Sequence, residues 1–402
     1  MTTTLRYGED ATIEFDLPAQ AYLADCSTPR VEPIDDTAAA VAAAVEDPIE
    51  FPGLGQATVS GDSIAIVLEP GVPRIGEIVA GVVHSLISNG IEPNSISVVQ
   101  KPTTSNFDPG LAVSMVPPET RDAIQLVNHQ PGEKGMMAYL AAAKSGDPIY
   151  VNRVVLDSDV VIPIGVFRLC PDLEPAGVHD SLFRTFSNTA SSDQSSHSPW
   201  IDSRQSRQSQ QLADEAGWLL GVQFTIQIIP GPGDEVLHVI AGDTNAVAKR
   251  GKQLCEAAWR FDVPKRASLV VATIEGDSTQ QTWDNFSRSL SVATRAVADD
   301  GSIVICSDLR DSPYLPAFSE ENSSTDDPFQ EVELDRLYED QLSAVQERAR
   351  VFLLSGLDSD LVEEMGMGHI ESKDEVARLS QQHDSCILVA NAQHAVLVAP
   401  DD

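Results

Sequence analysis

Residues 160–165 read VVIPIG, a continuous run of apolar residues that ends at a glycine and enters a loop carrying Arg168. Similar apolar runs recur along the chain at 63–68, 96–100, 222–229, 269–274 and 302–306. Helical patterns lie between or after them at 75–88, 244–260, 282–298 and 341–351. Continuous apolar strands separated by amphipathic helices are typical of parallel sheets that helices cover on both faces. The sequence therefore predicts an α/β fold, in which ligands bind in loops at the carboxyl ends of the strands.

The length of 402 residues and the apolar content of 42% suggest two or three domains with ordinary cores. A domain junction is expected at 261–266 (FDVPKR), where a proline follows a long helical pattern and precedes a new strand. We therefore predict one domain over 1–262 and another over 263–402. Two segments break the alternation: 187–211 is Ser/Gln-rich and predicts a mobile loop, and 319–340 is acidic and predicts a surface excursion.

The charge balance restricts the partners. Against 26 basic residues the chain carries 61 acidic ones, a formal net charge of −35, which repels nucleic acid and anionic membranes. A small anionic ligand would need arginine or lysine placed locally. No apolar run approaches the roughly 18–20 residues of a membrane span, and the N-terminus lacks a signal-peptide pattern. Because the five cysteines are widely spaced without a CxxC pattern, we expect a soluble cytoplasmic protein without disulfides or a zinc site.

Common catalytic and nucleotide-binding motifs are missing from the sequence. It contains neither GxGxxG nor GxxxxGK[ST], and neither GxSxG nor HExxH. Gly231-Pro232-Gly233 follows a strand, but the proline lacks a backbone donor, so a reverse turn is the better interpretation.

Several blocks, taken in order, resemble one known family. They are LRYGEDATIEFDLP, SIAIVLEPGVPR, GIEPNSISVVQKPTT, QLVNHQ, DPIYVNRVVLDSDVVIPIG, VQFTIQII, AGDTNAVAKRGKQLCEAAW and VARLSQQHDSCILVANAQHAVLVAP. Their order and spacing are similar to those of the nickel-pincer lactate racemase family, and they cover most of the chain.

The resemblance implies a fold and a chemistry. It implies two α/β domains, with mainly parallel sheets, flanking an interdomain cleft. In the family, this cleft holds a nickel complex of a pyridinium mononucleotide with two sulfur-containing arms. A lysine is joined to one arm as a thioamide and a histidine ligates nickel, while two further histidines act as acid and base on a 2-hydroxy acid, a role that suits imidazole. The implied activity is that of an isomerase, a racemase or epimerase of 2-hydroxy acids.

The sequence departs from the family where the cofactor would be attached. Aligned on the VVIPIG strand, Asp180 stands at the position of the tethering lysine, and Cys170 stands at the histidine of the family's Pro-His pair. A carboxylate cannot form a thioamide, and there is no lysine between Lys144 and Lys249. Covalent attachment of the family cofactor is therefore not expected.

Residues aligned with the family's substrate-binding positions are better preserved. Lys101 and the following proline remain in the second loop, although both histidines of that loop are replaced. Arg74 keeps the arginine of the first loop within one position, and Asn285 and Arg288 stand where the family has glutamine and lysine. Arg74, Lys101 and Arg288 either converge on an anion or are separate surface charges. Arginine and lysine differ in geometry, although both can hold a carboxylate.

The remaining candidates each have a structural alternative. His179 next to Asp180 could act as an oriented imidazole or be a solvated loop residue. Cys170 could ligate a soft metal as a thiolate, or be a small buried residue. His197 lies near a catalytic histidine of the family, but inside the Ser/Gln-rich segment. His129 is expected to pack or to cap a strand end.

Three hypotheses follow. The chain is a racemase with an untethered or altered nickel-pincer cofactor; or it is a lapsed relative that binds a small anion or nucleotide, or a partner protein, in the inherited cleft; or it has changed chemistry built on Cys170 and His179. The tether and the catalytic histidines are replaced together while the scaffold blocks persist, and this pattern favours the second hypothesis.

Overall fold

The structure of the protein is a computed structural model that describes residues 2–27, 29–102, 107–144, 146, 148–169, 179–187, 203–312 and 334–400. The strands are β1 (Thr2–Tyr7), β2 (Ala11–Asp16), β3 (Tyr22–Cys26), β4 (Ile64–Leu68), β5 (Ile96–Gln100), β6 (Gln125–Asn128), β7 (Met137–Ala142), β8 (Pro148–Asn152), β9 (Val160–Val166), β10 (Phe224–Pro230), β11 (Val236–Asp243), β12 (Arg260–Asp262), β13 (Ala267–Thr273), β14 (Val297–Cys306), β15 (Arg350–Leu354), β16 (Gly368–His369), β17 (Cys386–Val389) and β18 (Val396–Val398). The helices are α1 (Thr37–Glu46), α2 (Leu54–Ala57), α3 (Ile75–Ser88), α4 (Pro118–Arg121), α5 (Arg153–Asp157), α6 (Asp180–Phe186), α7 (Ser203–Leu219), α8 (Thr244–Trp259), α9 (Trp283–Ala296), α10 (Leu334–Gln346), α11 (Ser359–Glu364) and α12 (Lys373–Ser380).

The first domain is built on a six-stranded sheet in the order β11-β10-β9-β4-β5-β6. All neighbours are parallel except β11, which pairs antiparallel with β10 at the edge. Every residue of β4 is buried, as expected of a strand with helices on both faces. The turn between β10 and β11 is the predicted reverse turn: Gly231 N donates to Glu235 O, and Gly233 has a φ of 61°.

The second domain contains a six-stranded, all-parallel sheet in the order β16-β15-β14-β13-β17-β3. Its edge strand β3 comes from the N-terminus of the chain and pairs with β17. The hairpin of β1 and β2 packs its buried residues Leu5, Ile13 and Phe15 against the same sheet. The predicted α/β fold with two domains is confirmed. The boundary at 262/263 stays a prediction, but the first 26 residues lie with the second sheet.

The predicted junction at 261–266 is packed into the structure. Strand β12 pairs in parallel with β18, and Phe261 and Val263 are buried among the core residues of the second domain. The segment is thus anchored on both sides by apolar contacts.

Three predictions of local structure need correction. Helix α7 begins at Ser203, inside the segment 187–211 that was expected to be a loop, because its Arg, Gln and Glu residues favour helix and its C-terminal half buries Ala213 and Ala216. Helix α10 begins at Leu334, inside the expected excursion 319–340. The helix expected over 341–351 ends at Gln346, and Arg350 starts strand β15. The parts of these segments at 188–202 and 313–333 lie outside the described residues.

The helices were also compared with the length and hydropathy of a membrane span. In the described part of the chain, no helix is both long and apolar enough to cross a bilayer.

Candidate functional site

A buried ion pair lies at the carboxyl ends of β4 and β9. Arg168 Nη1 lies 2.7 Å from Glu69 Oε1, and the two side chains are 11% and 14% exposed. The second carboxylate oxygen of Glu69 accepts a hydrogen bond from Val166 N at 2.8 Å. Gly165 makes room for this arrangement, because a Cβ at that position would lie 2.7 Å from Glu69 Oε2. The pair therefore fixes the first residue after each of the two strands' ends against the other.

A second arginine approaches from the other domain. Arg288 on α9 pairs with Asp284 one turn earlier, with 3.1 Å between Nε and Oδ2. Burial lowers the pKa of Arg168, and the positive charge of Arg288 lowers it further. Two guanidinium groups from different domains thus lie close enough to repel each other, with Glu69 and Asp284 as the nearby countercharges.

His394 lies beside these arginines, in the turn that follows β17. Its ring centroid is 5.6 Å from that of Trp259, and the residue is buried. Burial lowers its pKa well below the usual value, and the charges of Arg168 and Arg288 act in the same direction. The imidazole is therefore neutral at physiological pH.

The turn that carries His394 is held in a strained conformation. Asn391 has a φ of 49°, a left-handed conformation that is uncommon for residues other than glycine. Its side chain accepts from Gly233 N at 3.0 Å and donates to Glu275 Oε2 at 3.0 Å. Because Gly233 belongs to the first domain and Glu275 to the second, Asn391 also links the two domains. Backbone strain of this kind is concentrated at functional sites.

The loop after β4 makes another contact between the domains. Gln280 Nε2 donates to Gly71 O at 3.1 Å, and a Cβ on Gly71 would lie 3.6 Å from Arg168 Nη2. The loop at 69–74, Arg168 and the segment before α9 therefore meet in one place. This place is the cleft between the carboxyl ends of the two parallel sheets, where ligands bind in open α/β folds.

Arg74 and Lys101 lie at the carboxyl edge of the first sheet with other partners. Arg74 has a φ of 47°, its backbone N donates to Asp234 Oδ1, and its side chain pairs with Glu77 at 3.6 Å. Lys101 lies close enough to His129 for its charge to lower the pKa of that histidine. The convergence of Arg74 and Lys101 with Arg288 on one anion stays a prediction.

Two other residues of the sequence prediction have structural contacts. His129 is buried, as expected: its Nδ1 lies 2.9 Å from Asn152 Nδ2, its ring meets Phe186 edge to face, and burial lowers its pKa to about 3. Asn285 is buried on α9, and its Nδ2 donates to Gln280 O at 2.8 Å. Asn285 thereby positions the same Gln280 that contacts the loop after β4.

The candidates of the opening loop are only partly described. His179 precedes α6 and packs against α7, since a Cβ on Gly217 would lie 2.5 Å from its ring. Burial lowers its pKa, while Asp243 acts against that shift. Asp180 is the first residue of α6. Cys170 and His197 lie outside the described residues, and a role for any of these four stays a prediction.

Several residues of the cleft were not among the sequence candidates. Arg168 and Glu69 could have been found, because each follows directly on an apolar strand that the sequence predicts. Gln393 and His394 had no such signal, since their short strand β17 was not predicted. In the described ranges, no group of three or more His, Cys, Asp or Glu side chains could hold a metal ion.

Comparisons with known proteins agree with this architecture. Residues 7–169 match the sequence model of the lactate racemase N-terminal domain. No curated protein matches the chain in sequence. The lactate racemase apoprotein from Thermoanaerobacterium thermosaccharolyticum has a similar structure, with a TM-score of 0.70 and 12% identity over 99% of this chain and 100% of that one. A structural genomics target from Thermotoga maritima has a TM-score of 0.62 and 10% identity over 92% of this chain and 100% of that one.

The sequence match over the first domain and the shared fold over both domains define a two-domain α/β protein of the lactate racemase type. The chain belongs to the lactate racemase-like family.

Proposed function

We propose that the protein binds a small organic anion in the cleft between its two domains and lacks the family's tethered cofactor chemistry. The observation that carries this proposal is the approach of Arg168 and Arg288 from different domains. Two like charges close together at a partly buried position repel each other, and an anion between them would relieve that repulsion. Because the whole chain is strongly acidic, such a local positive pair is needed to attract an anion.

The residues present do not fit the tethered form of the family cofactor. The thioamide requires a primary amine, and the sequence has aspartate at position 180 and no lysine between Lys144 and Lys249. The histidine nearest to the arginine pair, His394, is buried against Trp259 rather than grouped with other metal ligands among the described residues. These features support a lapsed relative over an active nickel-pincer racemase.

Racemase or epimerase activity on 2-hydroxy acids is the alternative that family membership favours. It would need a cofactor held without a covalent bond, or chemistry moved to Cys170 and His179. A cytoplasmic location and the lack of nucleic-acid or membrane partners are further parts of the proposal, supported by the acidic charge.

Thermal unfolding with added anions tests the proposal, because a ligand that binds only the folded state stabilises it. We expect lactate or phosphate to raise the melting temperature, and Arg288→Met to weaken the affinity about tenfold or more through loss of a charged contact.

Arg348→Met is the matched control. This arginine also pairs with an aspartate at a surface of the second domain, with 2.8 Å between Arg348 and Asp299, but it lies just before β15, at the amino end of the sheet. An unchanged response in Arg288→Met, or an equal loss in both variants, would contradict the proposal. Racemisation of lactate by protein from nickel-supplemented, cofactor-producing cells would favour the alternative.

A further inference from the structure

Three buried polar atoms in the cleft have no hydrogen-bond partner among the described residues. They are Arg168 Nε, Gln393 Oε1 and His394 Nδ1. Buried polar groups in folded proteins are nearly always paired, so three unpaired atoms near one another call for an explanation. Gln393 and His394 are adjacent in the turn after β17, and His394 lies within reach of the charges of Arg168 and Arg288.

The hydrogen bonds present determine what each atom could offer a ligand. Gln393 Nε2 lies 3.4 Å from His394 Nε2, so the imidazole nitrogen accepts and the ring proton of the neutral histidine is on Nδ1. Arg168 Nε and His394 Nδ1 are therefore two unused donors, and Gln393 Oε1 is an unused acceptor. The complementary ligand has an oxyanion that accepts twice and a neighbouring group that donates once.

The surrounding charges narrow the choice of that donating group. An ammonium group would be repelled by the guanidinium groups of Arg168 and Arg288, whereas a hydroxyl group carries no charge. The three atoms are shielded from solvent in this structure, so a ligand would enter when the domains separate and would supply the missing partners when they close.

We propose that Arg168, Gln393 and His394 form a recognition subsite for a carboxylate that bears a neutral hydroxyl group beside it. This inference rests on the proposed anion-binding function and adds the residues that select the ligand. The turn held by Asn391 places two of the three side chains, so the strain at that residue has a role in recognition.

Lactate, propionate and alanine test the inference, because they share a carboxylate and differ in the neighbouring substituent. Titration of the unmodified protein should give an affinity for lactate about 3- to 10-fold higher than for propionate, the value of one neutral hydrogen bond. Alanine should bind more weakly than propionate. Gln393→Leu should abolish the preference for lactate over propionate while propionate binding persists.

Gln346→Leu is the matched control, since this glutamine donates to backbone carbonyls of Met365 and Gly366 away from the cleft. It should keep the preference for lactate. Equal affinities for lactate and propionate in the unmodified protein would overturn the inference and leave anion binding intact, and this result does not depend on how any variant folds. A preference that survives in Gln393→Leu would also overturn it. Failure of every anion, phosphate included, to bind would overturn the proposed function itself.

Discussion

Replacing Glu69 with glutamine tests the buried ion pair that organises the cleft. Glutamine has nearly the same shape and can still accept the hydrogen bond from Val166 N, so the change removes mainly the negative charge. Arg168 would then be a buried cation without its countercharge, 11% exposed and close to Arg288. Breaking a buried pair in this way costs about 3–5 kcal/mol. Because one hydrogen bond is kept, we expect a loss near the lower end, about 3 kcal/mol, in the free energy of unfolding measured with urea.

Asp299→Asn is the control, because Asp299 and Arg348 lie at a comparable distance of 2.8 Å but are 77% and 38% exposed. An exposed pair contributes less than about 1 kcal/mol. Similar losses in the two variants would refute the view that burial makes the Glu69–Arg168 pair important. Added phosphate should restore more stability to Glu69→Gln than to the unmodified protein, since an anion can replace the missing charge.

Three further changes test other parts of the site. Gly165→Ala should cost about 1–3 kcal/mol because its Cβ would meet Glu69, whereas Gly132→Ala, which meets no atom within 4 Å, should leave urea unfolding nearly unchanged. Asn285→Ala should cost about 1–3 kcal/mol in the same assay through its lost bond to Gln280; full stability with weakened anion binding would show that Asn285 contacts the ligand instead. Asp234→Asn should stabilise the protein at about pH 7.5 but much less at about pH 5, in thermal unfolding at both values. Burial raises the pKa of Asp234 to about 6, so its folded form favours the protonated state and loses stability as the pH rises from the unfolded value through 6. A pH-independent difference would contradict this reason.

The sequence predicted the parts of the fold that repeat a simple pattern. Strand β4 is wholly apolar and β9 nearly so, and each is followed by a helical period or a loop, so the class of fold could be inferred without tertiary information. The bounds of α3 agree with the predicted 75–88 because its apolar residues recur at helical spacing. Arg288 was correctly placed near the cleft by the family resemblance.

Other features depend on contacts between distant parts of the chain. The first strands of the sequence join the second sheet through the pairing of β3 with β17, and no local pattern indicates such a crossing. His394 reaches the cleft because Asn391 adopts a left-handed conformation stabilised by Gly233 and Glu275, more than a hundred residues away in sequence. Polar helix α7 was missed because low complexity suggested a loop, whereas its packing comes from a few alanines.

The central claim is that the cleft binds an anion through side chains alone, with no cofactor bonded to the chain. The most direct test is the intact mass of the protein purified from nickel-supplemented cells that make the family cofactor. We predict the mass of the unmodified polypeptide. An added mass equal to the pyridinium mononucleotide, mapped to any residue of the cleft, would contradict the account.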